Sequence, residues 1–514
     1  MKLLQILIFL LSNFASTQVG YHVTLTGNSN GTGSSSHPWD LQTALISEAI
    51  KPGDTLWIHE GIYHGRFTSR IEGNAKRKIV VKPYQDQKVV LNGNVKSDKP
   101  DVLRVYGGNV VFENLEVTCL GDFSRNEADA SFQRINGLIH LAGQDCEFIN
   151  LRIHNNPGLG VGSWKATGGS IFDGCIVFNN GYIAKNGKGT AEGFYVQNNS
   201  NKTRVIKNCT VFNNYYKGIE VWSANKRADK EYVKNITLLN NVVFNNGLPA
   251  KKAYDNIIVA TNDSNGINVA SNIKVHKNIL YHNTDFAQNE INGDAPSLTL
   301  GFVPNAPVNN VEVKDNIIVG RNNGLRILHA NILNFKGNII HSGYVMQSSS
   351  TIKTVQNWTF DNNKYYSKNT TPFFFTKNTR LSAKDWKKNY KLDLNSSWSS
   401  NKNFDLPEVL DITPLTNRNK TFRVTVFQRE GNTVRIDWKA HKITANSNFE
   451  VKNIANDEVL YKGKLVNDSI ATIPLDMSNA TANNFGVYIV EFENHNKVEK
   501  KRKSFFKRVF GWLF

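Results

Sequence analysis

Two stretches of the chain, AEGFYVQ (191–197) and YKGIEVWSANK (216–226), gather side chains that move protons on sugars. Glu192, Tyr195, Lys217, Glu220 and Lys226 supply carboxylates, a phenol and amines. Two chemistries can use them. In β-elimination on a uronate, cationic groups neutralise the carboxylate, a base such as Lys, Tyr or His takes the C5 proton, and an acid helps the leaving oxygen. In glycoside hydrolysis two carboxylates flank the bond at roughly 5 to 9.5 Å; Glu192 with Glu220, or Glu220 with Asp255, supplies such a pair. Basic and phenolic side chains lead to elimination as the first expectation, by Tyr195, His140, Lys217 and Glu220, with hydrolysis second and a non-catalytic binding solenoid third.

These residues must be brought together by a repeat. The phrase DGCIVFNN (173–180) returns as KNCTVFNN (207–214), and the unit Asn-φ-x-φ-x-Asn, with φ apolar, recurs from Asn114 to Asn338. Each unit alternates apolar and polar residues like a short half-buried strand, and most follow a second, glycine-led strand such as GFYVQN (193–198) or GIEVWS (218–223). No amphipathic helical period separates them, which weighs against βαβ units. Units of this kind bury an apolar face only by stacking, so the sequence predicts an all-β right-handed parallel β-helix. The repeated Asn suits left-handed turns and ladders along the axis. Cys175 and Cys209 share one column, as buried thiols or as a bridge.

Registering the glycine-led strands gives an expected outward column of Arg104, His140, Gly160, Tyr195, Glu220, Ile258, Thr299 and Arg326, with Gln197 and Trp222 two places on. Arg134, Glu192, Lys217 and Asp255 precede it. Arg104, Arg134, Trp164, Glu192, Gln197, Trp222 and Arg326 are the expected substrate contacts. A histidine or tyrosine on a sheet face is more commonly a groove residue than a catalyst, and Lys217 and Arg134 are equally accounted for as solvated charges. The weight lies in the clustering.

Length and composition frame this reading. The chain has 514 residues, 40% hydrophobic and 20% charged, a folded composition long enough for several units. Lys+Arg 61 against Asp+Glu 43 leaves +18. Without a reading helix, finger or arginine-rich element, nucleic acid is excluded in favour of an anionic polysaccharide or oligosaccharide. Residues 1–17 read as a signal peptide, and no later run is apolar enough to span a bilayer, so a secreted, periplasmic or cell-surface monomer is expected. The expected divisions are a β-helix over 18–375, a linker over 376–414, a small β-sandwich over 415–496 and a basic-aromatic tail over 497–514.

AIKPGDTLWIHEGIYHGRF (49–67) and KIVVKPYQDQKVVLNGN (78–94) resemble the opening coils of secreted β-helix proteins of the pectin-lyase-like superfamily. Many of these cleave polysaccharides, which implies the same fold and a carbohydrate substrate. GIEVWSANK (218–226) is similar to a segment of the chondroitinase B and alginate lyase family, where two glutamates bind calcium and a lysine is the base. That resemblance implies Glu220 as a Ca2+ ligand and Lys226 as base, although Gly218 stands where the first glutamate belongs. GVYIVEF (486–492), before a basic segment, is similar to the sorting domain of type IX secretion cargo, which implies secretion machinery as a partner.

Overall fold

The computed structural model describes residues 18–282, 291–294, 296–348, 352–375, 379–399, 408–428, 432–465, 470–474 and 485–493. The expected signal peptide and the tail over 497–514 lie outside these residues. Short strands, many of three residues, are joined by tight turns into three 12-stranded sheets. The chain visits the sheets in rotation. Ile171–Asp173 lies in the first, Ile176–Phe178 in the second and Phe194–Val196 in the third, and the next coil repeats the circuit with Arg204–Lys207, Thr210–Phe212 and Ile219–Ser223. Neighbouring coils pair in parallel and in register, as in Val177↔Val211 and Tyr195↔Glu220. This is a right-handed parallel β-helix.

The asparagines divide their work between adjacent columns. Asn114, Asn150, Asn208 and Asn240 turn the chain between the first and second sheets with φ of 56°, 51°, 55° and 54°, the left-handed region that Asn tolerates at least cost among residues with a Cβ. One residue later comes an interior column. Asn241, Asn278, Asn316 and Asn338 each pass an amide hydrogen bond to the next asparagine's carbonyl oxygen, ending at Asn363, at 3.0, 3.0, 2.9 and 3.2 Å. Cys175 and Cys209 precede them in this column as buried free thiols, not a bridge. A second ladder runs through Asn156, Asn180, Asn214, Asn246 and Asn256 at the corner before the third sheet. Apolar columns such as Phe112, Phe148 and Phe172 fill the interior between these corners.

Both ends of the stack are covered, as a sheet with open edges requires. At the start, helix Leu41–Ile46, capped by Asp40, buries Leu41, Ala44 and Leu45. At the far end, helix Ala383–Tyr390 lays Trp386 on Phe373 at 4.9 Å. The solenoid therefore runs past the boundary expected at 375: strand Ser397–Ser399 still pairs with Lys364–Tyr366. The stretch expected as linker holds this cap, and its last residues, Val409–Pro414, begin the C-terminal module.

That module is a β-sandwich of a five-stranded and a two-stranded sheet. It docks on the second sheet, where Phe178, Phe212, Phe244 and Tyr281 form an outward aromatic stack and the module's Phe485 lies on Tyr281 at 4.1 Å. Arg423, fully buried, donates to the carbonyls of Cys209 and Asn240. No helix among the described residues is long and apolar enough to cross a membrane.

Candidate active site

The third sheet positions the candidate residues. Along the axis its outward side chains are Arg104, Ile139, Gly162, Tyr195, Glu220, Ile258, Thr299 and Arg326. Two members of the expected column are corrected. His140 and Gly160 give way to Ile139 and Gly162, because the register of two strands moves. Ile139 faces outward yet stays dry, packed with Leu159, Tyr182 and Ala191 beneath the loops, so alternation of apolar and polar residues carries no sign of direction there. His140 points into the solenoid, edge-on to Phe148 at 5.2 Å. Burial, with the nearby Arg204 guanidinium, lowers its pKa to about 3, so it is a neutral core residue outside the trough.

Two identical local designs build the centre. In Glu192-Gly-Phe-Tyr195 and Lys217-Gly-Ile-Glu220 a glycine crosses the asparagine ladder. A Cβ at Gly193 would lie 2.7 Å from the Asn214 amide nitrogen, and one at Gly218 2.6 Å from that of Asn246. Passing this close, each strand brings the residue before the glycine and the residue two places after it to one surface. Two carboxyls, a phenol and an ammonium thereby meet on adjacent rungs, about 5 Å apart.

Lys217 ion-pairs with Glu220, and its ammonium lies 4.7 Å from the Tyr216 ring centroid and 5.2 Å from that of Trp222. Burial works against this charge, but Glu220, with Tyr216 and Asp255, outweighs it and holds the lysine above its usual range. Glu192 is driven the other way. Burial, then the charge of Glu220, raise its pKa well above the ordinary carboxyl value. Asp255 stays ionised against its burial, bonded by Arg326 at 2.7 Å and by Thr299. The half-exposed phenol of Tyr195 is raised by burial and by Glu220, and is neutral.

Around this centre the expected contacts separate. Trp164 stacks obliquely on Tyr195 at 5.3 Å, and Gln197 reaches the Tyr195 hydroxyl at 3.4 Å. Arg134 is exposed on the wall, its charge felt by Tyr182. Trp222, expected as an open sugar platform, is 8% exposed, enclosed by Lys217 and by Phe302 at 5.0 Å. Arg104 stands three rungs from Tyr195 and pairs with Asp101; Arg326 stands four rungs away on the other side. Lys226 lies exposed in the loop after Ile219–Ser223, its carbonyl held by Ser264. Sequence reasoning missed Phe302, whose 47% exposed ring is an aromatic lip. Its only sequence signal is the small Ala260 beside Trp222.

Calcium does not fit this centre. The Lys217 ammonium already occupies the Glu220 carboxylate, and among the described residues no group of three or more His, Cys, Asp or Glu side chains is arranged to hold a metal ion.

Fold and trough together define a pectin-lyase-like β-helix protein with an ionic cluster on one outer face. Residues 21–293, more than half of the chain, match the family described as Pel9A-like, right-handed beta helix region, and the chain belongs to that family. Among solved structures it is similar to pectate lyase Pel9A, at 18% identity and TM-score 0.45 over 68% of this chain and 80% of that one. A rhamnogalacturonan lyase matches at 15% identity and TM-score 0.48 over 76% and 89%, and a lacto-N-biosidase from Eubacterium ramulus at 11% and 0.39 over 74% and 67%. Comparison with curated protein sequences finds no match.

Proposed function

We propose that the protein is a carbon–oxygen lyase acting by β-elimination on a uronate-containing polysaccharide or its oligosaccharides. One observation carries this reading: Glu220, on the rung beside Tyr195, is buried with its carboxylate ion-paired to Lys217, and Glu192 is buried on the neighbouring rung. Glu192 and Glu220 are buried with the Lys217 ammonium on Glu220, which does not leave between them the gap of roughly 5 Å or more that glycosidases keep open for a sugar and its nucleophile. Tyr195 is then the half-exposed proton carrier at the centre.

In this reading Arg134 meets the uronate carboxylate, lowering the cost of negative charge beside C5. Glu220 takes the C5 proton; the electron pair forms the C4–C5 double bond as the C4–O bond breaks. Tyr195 gives its phenolic proton to the leaving oxygen and recovers one from Glu220, so the cycle closes without a co-reactant. Lys217 holds the Glu220 carboxylate in place. Lys217, paired and charged, serves as a positioning residue rather than the base.

Incubation with pectate, alginate, chondroitin or ulvan tests the proposal. Elimination yields the ultraviolet absorbance of an unsaturated uronate, lost in Tyr195→Phe. New reducing ends without that absorbance would instead establish hydrolysis.

A further inference from the structure

The first sheet carries a second gathering of rings, far along the stack from the trough. His22, Trp57 and Lys82 occupy consecutive rungs of one column. In the turns that follow, His59 stacks on Tyr84 at 4.6 Å and 22°, and Tyr84 meets Trp57 edge-on at 6.0 Å and 86°. The Lys82 ammonium lies 5.0 Å from the indole centroid. The aromatic stack on the second sheet is sealed by the C-terminal module; this cluster borders a cavity of about 500 Å3 instead. The volume is in the range of ligand sites.

Polar groups converge on the same space. Lys82, Asp86 and Glu113 line it from the solenoid, and Asn417 lines it from the C-terminal module. The chain enters through Gln85 and Asp86 at φ of 51° and 58°, two successive left-handed residues other than glycine. Strain of this kind persists where surrounding structure imposes it, and here it sets both Tyr84 and Asp86 on the cavity wall.

We infer that this cavity is a carbohydrate-binding site separate from the trough, and that it takes a hydroxyl-bearing pyranose unit of a glycan chain. A pyranose has an apolar C–H face and a rim of hydroxyls. Trp57 and Tyr84 offer the face its partner, while Asp86, Glu113, Asn417 and Lys82 offer acceptors and donors to the rim. Two carboxylates against one ammonium select a neutral sugar over a uronate. The site joins both units of the protein, so the C-terminal module contributes to binding through Asn417. It does not depend on the chemistry assigned to the trough.

Affinity electrophoresis of the full-length protein in gels cast with xylan, galactan or glucomannan tests this. The expected result is retardation in at least one of these gels, lost in Trp57→Ala, weakened at least tenfold in Asn417→Ala and unchanged in Tyr195→Phe. Free migration of the parent in all three gels, or retardation that survives Trp57→Ala, would overturn it. Thermal unfolding of each variant checks folding; should Trp57→Ala not fold, Tyr84→Ala and Asn417→Ala carry the same decision.

Discussion

Two kinds of column run along this solenoid. Inside, Asn241, Asn278, Asn316, Asn338 and Asn363 repeat one neutral group, joined by four amide-to-carbonyl hydrogen bonds. Outside, Glu192, Lys217 and Asp255 open three consecutive strands of the third sheet, and no two are alike. A ladder of identical amides satisfies itself on each of its rungs and here runs unbroken from Asn241 to Asn363. Unlike groups are satisfied only by particular neighbours, Lys217 by Glu220 and Asp255 by Arg326, so the pattern stops after three rungs. Repetition holds the fold together, and its interruption gives the surface its chemistry.

The contrast can be broken from either side. Tyr195→Phe should lower kcat by about 10²–10⁴, the usual worth of a positioned proton donor, with the melting temperature unchanged; initial rates and thermal unfolding read the two effects separately. Lys217→Met leaves Glu220 buried without its counter-charge, so urea unfolding should show a loss of roughly 3–5 kcal/mol. Adding Glu220→Gln to that variant should recover much of it.

Acid is the next probe. Folding keeps His140 neutral, with a pKa of about 3 against an ordinary 6.5. The unfolded chain therefore binds a proton that the folded one refuses, and stability is lost as pH falls from about 6.5 toward 3, by a few kcal/mol in order of magnitude. In His140→Leu the acid-unfolding midpoint should move to lower pH. The smallest effect is expected inside: Asn278→Ala removes the acceptor of the Asn241 side-chain amide and backbone N–H, costing about 1–3 kcal/mol in denaturant titration while turnover per folded molecule is kept.

Much of the architecture was legible because stacking is written as repetition. DGCIVFNN and KNCTVFNN are neighbouring coils, and Cys175 and Cys209 do share a column. Tyr195 and Glu220 were readable as neighbours because each follows a glycine and an inward apolar residue. His140 was not, since the loops around Ile139 bury both faces of that strand and erase the polar-outward signal. The end of the solenoid was also hidden. The stretch beyond 375 has no repeat, and Trp386 is a cap only because Phe373 and Phe375 lie under it.

The amino-acid order by itself determined the coil: period-2 strands, asparagine turns and glycine-led approaches act over a few residues, and any stack built from them has the same shape. What only the tertiary structure decided was the state of the charged side chains. Glu192 has its pKa raised by Glu220 on the next rung and Trp222 is enclosed by Phe302 from a neighbouring loop, whereas Lys217 finds its partner Glu220 within its own coil. Protonation and exposure depend on what a coil stacks against, and that information lies in the pairing of rungs rather than within any one of them.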